Sequence, residues 1–123
     1  MNFLNRFADP VYCILRLVVG LMFACHGGQK LLGFPGGGHG DAQGLMLFGG
    51  FVELVGGLMI AFGFLTRLAA FVSAGEMAVA YFMVHQPRGF LPLKNGGELA
   101  VIYCFVALFI ACRGAGKWGI DKG

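Results

Sequence analysis

The side chains of this sequence that could carry out chemistry are a few ionisable residues placed inside long apolar runs. Glu53 stands in GGFVELVGG at residues 49–57, Glu76 stands in the next apolar run, and Arg16 interrupts the first one. A charged group near the centre of a bilayer costs roughly 2.5–3.5 kcal/mol, so each is expected to have a partner or a function. Arg16, Glu53 and Glu76 are therefore the candidate buried polar core.

The composition favours a membrane protein. The chain has 123 residues, of which 58% are hydrophobic and 12% charged, and its mean hydropathy is +0.77. Soluble domains carry about 25% charged residues, and a chain this small cannot bury so much apolar surface in a water-soluble core. The net charge of +3 arises mostly at segment ends. It indicates membrane topology and no nucleic-acid partner.

Four apolar runs predict an all-α fold, an integral membrane four-helix up-down bundle that forms a single transmembrane domain over residues 1–123. The spans are predicted at about residues 10–32, 45–65, 67–86 and 95–112. The very short joint between the second and third spans makes them antiparallel neighbours.

Residues suited to helix N-caps precede three of these spans. Asp9 with Pro10, Thr66, and Asn95 with Glu98 three residues later are the predicted starts. A capping role alone is enough to explain a glutamate at position 98.

Glycines predict where Glu53 points. At about 100° per residue, Gly49, Glu53, Gly56 and Gly63 fall on one face of the second span. Small residues let a neighbouring backbone approach closely, so Glu53 is expected in a seam between helices and not in lipid.

Counting from the helix ends places Arg16, Glu53 and Glu76 in overlapping layers. Two carboxylates that share a dry site do not both ionise readily, so one of them is expected to hold a proton near neutral pH. A second cluster of His26, Lys30 and Glu98 is predicted toward the other side of the membrane. For Lys30, extension of the side chain toward the interface is an equally good explanation.

The cysteines and histidines predict no metal site. Cys13, Cys25, Cys104 and Cys112 form no C-x-x-C pair, and the three histidines form no H-E-x-x-H pattern. Cys13, Cys104 and Cys112 are interpreted as small apolar packing residues. No self-sufficient catalytic motif is present, so whether the protein is an enzyme stays open.

Loop charges predict the orientation. The basic residues on the side that holds both termini are Arg6, Arg67, Arg113, Lys117 and Lys122, and those of the opposite loops are Lys30, Arg88 and Lys94. The bias predicts a multi-pass protein of the bacterial plasma (inner) membrane with both termini in the cytoplasm.

Several motifs together resemble the DoxX family of small four-span membrane proteins. They are LRLVVGLMFACHGGQKLLGF, GGFVELVGGLMIAFGFLTRLAA, EMAVAYFMVHQPRGFLP, NGGELAVIYCFVALFI and GAGKWGIDKG, which cover nearly the whole chain. The family motif positions carried onto this chain are Arg16, His26, Gly27, Lys30, Glu53, Gly56, Gly57, Thr66, Arg67, Gly96, Gly97 and Glu98. The resemblance implies a link to quinone-dependent and oxidative-stress systems of the membrane, and it assigns no catalytic residue.

Three functions remain open at this point. The first is an accessory or quinone-interacting subunit of a membrane redox system, with quinone as a possible cofactor and a membrane or peripheral redox protein as partner. The second is a small proton-coupled exporter, although small multidrug exporters carry their essential glutamate in the first span. The third is a structural or assembly factor for a membrane partner, and an oligomer is possible in each case.

Overall fold

The protein is all-α in the residues that a computed structural model describes, which are 2–32, 45–82 and 98–121. A short 3-10 helix, Asn2–Phe7, leads into four α-helices: α1 (Ala8–Leu32), α2 (Leu45–Phe62), α3 (Thr66–Ala80) and α4 (Glu98–Arg113). A π-helical turn at residues 81–82 follows α3. The predicted all-α fold is confirmed.

Helices α1 and α2 are antiparallel and their backbones touch. A Cβ added to Gly20 would lie 2.4 Å from the Ala61 amide nitrogen, and one added to Gly27 would lie 2.3 Å from that of Leu54. Gly20 faces Ala61, and Gly27, later in α1, faces Leu54, which is earlier in α2. The two helices therefore run in opposite directions. Such contact is possible only where side chains are absent or very small.

Helices α2 and α3 pack on the glycine face that the sequence singles out. A Cβ on Gly56 would meet Ser73 Oγ at 2.9 Å, and one on Gly49 would meet Glu76 Oε1 at 3.2 Å. These pairs again run in opposite directions, so α3 returns alongside α2.

Arg67 joins the start of α3 to the end of α4. Its Nη1 donates to the carbonyl oxygens of Ala111 (3.2 Å) and Cys112 (2.6 Å), and its Nη2 donates to that of Arg113 (3.4 Å). The last carbonyls of a helix have no partner within the helix and carry partial negative charge. Arg67 thus closes the C-terminus of α4 and completes the up-down order.

The joint between α2 and α3 is held by the C-terminal tail, residues 114–121. Helix α2 ends at Phe62, earlier than the predicted 65, because Gly63 and Leu65 adopt left-handed backbone angles with φ of 71° and 46°. The predicted N-cap at Thr66 is wrong, since Leu65 holds that position without a side-chain cap. The Asp121 carboxylate accepts the N–H groups of Leu65 (2.9 Å) and Thr66 (2.7 Å) instead.

The start of α1 also differs from the prediction. Because α1 begins at Ala8, directly after the 3-10 helix, Asp9 lies in the first turn and not at the N-cap. Its carboxylate forms ion pairs with Arg113 and, at 3.7 Å, with Lys117. Both termini of the described chain therefore meet at one end of the bundle. We call it the basic end, after Arg6, Arg67, Arg113 and Lys117.

The outer surface of the described helices is strongly apolar. Large exposed side chains occur on every helix, for example Phe48, Phe71 and Phe105, each about two-thirds exposed. One segment of the described residues, Asn2–Gln29, is long and apolar enough to cross a bilayer by length and composition alone. The apolar stretches Leu47–Phe62 and Ala100–Arg113 are shorter.

Candidate functional site

Each of the four helices contributes one polar side chain to a common level of the bundle, away from the basic end. The four residues are His26 (α1), Glu53 (α2), Glu76 (α3) and Tyr103 (α4), and we call them the polar layer. The rings of His26 and Tyr103 pack edge to face with centroids 5.9 Å apart. This ring contact joins α1 to α4 at the layer, and the two carboxylates lie on the facing helices α2 and α3.

The two carboxylates of the layer come together beside Gly49. A Cβ at Gly49 would lie 3.2 Å from Glu76 Oε1 and 3.8 Å from Glu53 Oε2. Glu53 is 1% exposed, whereas Glu76 is half-buried. A side chain at Gly49 would require the Glu76 carboxylate to shift by a few tenths of an ångström. Glu53 is buried in the helix seam, on the glycine face where the sequence predicts it.

Tyr103 has a buried hydroxyl that makes no hydrogen bond within the described residues. The side chain is 7% exposed, and its ring also packs against Phe23 with centroids 5.7 Å apart. Buried polar groups nearly always have a partner, and leaving one without costs about 1–3 kcal/mol. The phenol is thus available to a group outside the described residues.

Arg16 lies in a different layer from Glu53. Its Nη1 donates to the carbonyl oxygens of Ile60 (2.7 Å) and Ala61 (2.9 Å), close to the end of α2. Ile60 is about 10 Å farther along α2 than Glu53. The structure brings Glu53 and Glu76 together and binds the buried Arg16 guanidinium to backbone oxygens near the basic end.

The predicted outer cluster is described only in part. His26 belongs to the polar layer and is partly exposed. Lys30 and Glu98 lie in α1 and at the start of α4, but their side chains fall outside the described part of the structure, as does Asn95. This cluster stays a prediction.

Sequence reasoning did not select Tyr103 as a site residue. The available signal was its depth, because Tyr103 lies near the middle of the predicted fourth span, residues 95–112. A tyrosine at such depth needs a hydrogen-bond partner, unlike the phenylalanines around it.

The polar layer has hydrogen-bond donors and proton-exchanging groups rather than a metal-binding set. Within the described residues, no group of three or more His, Cys, Asp or Glu side chains is arranged to hold a metal ion. A phenol, an imidazole and two carboxyl groups can bind carbonyl oxygens and hold or move protons.

The fold and the layer define a small all-α bundle with polar groups enclosed by an apolar exterior. The chain belongs to the DoxX family, whose pattern it matches over residues 11–86. The resemblance read from the motifs is thereby confirmed.

Relatives of similar length extend over nearly the whole chain. An uncharacterized protein of Haemophilus influenzae is 38% identical over 99% of this chain and 96% of its own length. An uncharacterized membrane protein of Mycobacterium tuberculosis is 30% identical (97% and 84%), and the inner membrane protein YqjF of Escherichia coli is 29% identical (97% and 95%). No solved structure matches the chain. Family and relatives identify this chain as a membrane protein.

Proposed function

We propose that this protein is a quinone-interacting accessory subunit of a membrane redox system. The observation that carries the proposal is the buried Tyr103 hydroxyl, which has no hydrogen-bond partner within the described residues and lies in a layer with two carboxyl groups. Quinones dissolve in the apolar part of the bilayer, and their ring oxygens are hydrogen-bond acceptors. A phenol donor at this depth suits such an oxygen.

The surroundings of Tyr103 fit a flat ring. Phe23 and His26 present aromatic faces or edges next to it, with centroids 5.7 Å and 5.9 Å from the Tyr103 ring. Aromatic rings pack well in offset or edge-to-face arrangements at these separations. In this proposal Tyr103 Oη donates to one ring oxygen, and Phe23 and His26 keep the ring in position and exclude water.

The carboxyl groups supply a proton-exchange function. A quinone takes up two electrons and two protons when it is reduced to a quinol. Glu53 and Glu76 would hold and release protons at their carboxyl oxygens, and His26 would link them to the partly exposed side of the layer. The sequence carries no motif for haem, flavin or copper, so the electrons would come from a membrane or peripheral redox protein.

Equilibrium binding to the protein in lipid nanodiscs tests this function. With a ubiquinone analogue as probe, Tyr103→Phe should weaken binding about 5- to 10-fold, because it removes one hydrogen bond and keeps the ring. Tyr12→Phe is the matched control, since Tyr12 donates to the Gly114 carbonyl at the basic end. Equal affinity of wild type and Tyr103→Phe, or no quinone binding by wild type, would contradict the proposal.

The orientation completes the proposal. We place the basic end and both termini in the cytoplasm by the positive-inside rule, on the charges of Arg6, Arg67, Arg113 and Lys117. Trp118 and Ile120, both exposed, lie at the same end and suit the membrane interface. A green fluorescent protein fused to the C-terminus should then fold in the cytoplasm and fluoresce. A fusion that is made but does not fluoresce would place the C-terminus in the periplasm and contradict this orientation.

A further inference from the structure

We propose that the polar layer takes a membrane-resident quinone with an isoprenoid tail, which enters and leaves sideways from the bilayer between α1 and α4, past the Phe23 and His26 rings. The inference rests on the proposed function for the identity of the head group. The entry route and the position of the tail are inferred from the packing of the helices.

Three of the four helix seams are closed by close approach of the backbones or by direct backbone contacts. Helices α1 and α2 touch at Gly20 and Gly27, and α2 and α3 touch at Gly56. Helices α3 and α4 also approach closely and are tied by the Arg67 hydrogen bonds. Opening any of these seams would require whole helices to move apart.

The seam between α1 and α4 is of a different kind. The backbones of these two helices approach each other less closely than those of the other neighbouring pairs in the described residues. Near the basic end they meet through the Asp9–Arg113 ion pair and the Tyr12 and Phe109 rings. At the polar layer the aromatic contacts are those of Phe23 and His26 with Tyr103. Side chains change rotamer without displacement of the backbone, so this seam can open by ring rotation.

An apolar stripe on α4 runs alongside this seam. Phe109 contacts Tyr12 and therefore marks the α4 side of the seam. Phe105 and Ile102, four and seven residues earlier, lie on the same face of the helix. All three are more than half exposed, and none is charged. The stripe reaches from the basic end to the level of Tyr103, and a flexible hydrocarbon chain attached to a ring in the polar layer can lie along it.

Tail position can be measured directly. A ubiquinone analogue with a photoreactive group on its tail, bound to the protein in nanodiscs and irradiated, should label α4 within residues 102–109. Labelling concentrated on the lipid-facing side of α3, at Phe71, would overturn the route. The same experiment with Tyr103→Phe, at matched quinone concentration, should lose most of the label if the head group is bound as proposed.

Gating by the rings has a kinetic signature. Phe23→Leu should raise the association rate of the quinone by about three- to tenfold because the seam opens more readily, and raise the dissociation rate by more than that because the ring also loses a positioning contact. His26→Leu, at a partly exposed position, is a second gate variant in case Phe23→Leu does not fold. Phe71→Leu, on the lipid-facing side of α3, is the matched control and should leave both rates unchanged.

The outcomes separate the two proposals. If wild type binds no quinone, the proposed function fails. If wild type binds quinone through Tyr103 but the rates in Phe23→Leu and His26→Leu equal those of Phe71→Leu, the lateral route between α1 and α4 is wrong and the function stands.

Discussion

Arg16 Nη1 donates to the Ile60 carbonyl oxygen at 2.7 Å, which joins the middle of α1 to the last turn of α2. The guanidinium is 2% exposed and also reaches the Ala61 carbonyl. A buried cation at a helix C-terminus is stabilised by the partial negative charge there. Arg16 and Arg67 thus close the ends of α2 and α4 in the same way.

Arg16→Met should destabilise the protein by at least about 1–3 kcal/mol, because buried carbonyl oxygens of α2 lose a charged donor. Unfolding in mixed detergent, followed by circular dichroism, measures the change. Arg16→Lys keeps the charge and is expected to recover part of the loss.

A double-mutant cycle between Arg16→Met and Glu53→Gln distinguishes this arrangement from a direct ion pair. Since the two groups lie in different layers, the coupling energy should stay below about 0.5 kcal/mol. A coupling of several times that size would mean that Arg16 and Glu53 pair in the membrane, as the sequence alone suggested.

Gly57 should tolerate no side chain. A Cβ there would lie 2.4 Å from the Ala24 amide nitrogen, so Gly57→Ala forces α1 and α2 apart and should cost about 1–3 kcal/mol of unfolding free energy. Gly75, in α3, is the matched control because a Cβ there meets nothing within 4 Å. Gly75→Ala should stabilise the protein by about 0.5–1 kcal/mol. Equal effects of the two substitutions would mean that the backbones do not touch.

Glu53 and Glu76 are expected to share a proton near neutral pH. Infrared difference spectra should contain the carbonyl band of a protonated carboxyl group, and the band should be lost in both Glu53→Gln and Glu76→Gln. Glu98→Gln, outside the pair, serves as the control and should retain the band. Spectra with only ionised carboxylates in wild type would refute the shared proton.

Acid should release the C-terminal tail. The Thr66 backbone N–H, followed by that of Leu65, holds the pKa of Asp121 below its usual 3.8. A carboxyl with a depressed pKa stabilises the fold fully above its unfolded pKa. That contribution is lost as the pH falls through the lower, folded value.

Trp118, the only tryptophan, reports on the tail by its fluorescence. In wild type the Trp118 emission should change as the pH falls below about 3.8, and we call this change the acid step. Asp121→Asn should not show the acid step. Asp9→Asn, which removes the carboxylate that pairs with Arg113 and Lys117, is the control and should keep the step at Asp121. If the acid step persists in Asp121→Asn, it arises from the titration of another group and the prediction is wrong.

The helices and the burial of Glu53 could be predicted because both follow from local patterns. Apolar runs of sufficient length fix the helices, and the glycines at positions 49 and 56 fix the face on which Glu53 lies. The partners of Arg16 could not be predicted in this way. Counting from a helix end gives the depth of a Cα, but a long side chain can turn toward either end, and backbone oxygens compete with carboxylates for it.

The cap of α3 was also beyond local prediction. Its acceptor, Asp121, lies 55 residues after Thr66, and nothing near Thr66 in the sequence points to it. Tyr103 could be predicted only in part. Its depth in the membrane follows from its position in the fourth span, but the lack of a hydrogen-bond partner among the described residues depends on how the neighbouring helices pack.

The capping of α3 by Asp121 sets an order in time. During synthesis on the ribosome, α2, the joint and α3 are complete long before the residue that satisfies the Leu65 and Thr66 N–H groups exists. The left-handed Leu65 is therefore secured only after α4 has been made and packed. Nascent chains arrested before Asp121 should leave this joint open to protease, and chains released after it should not.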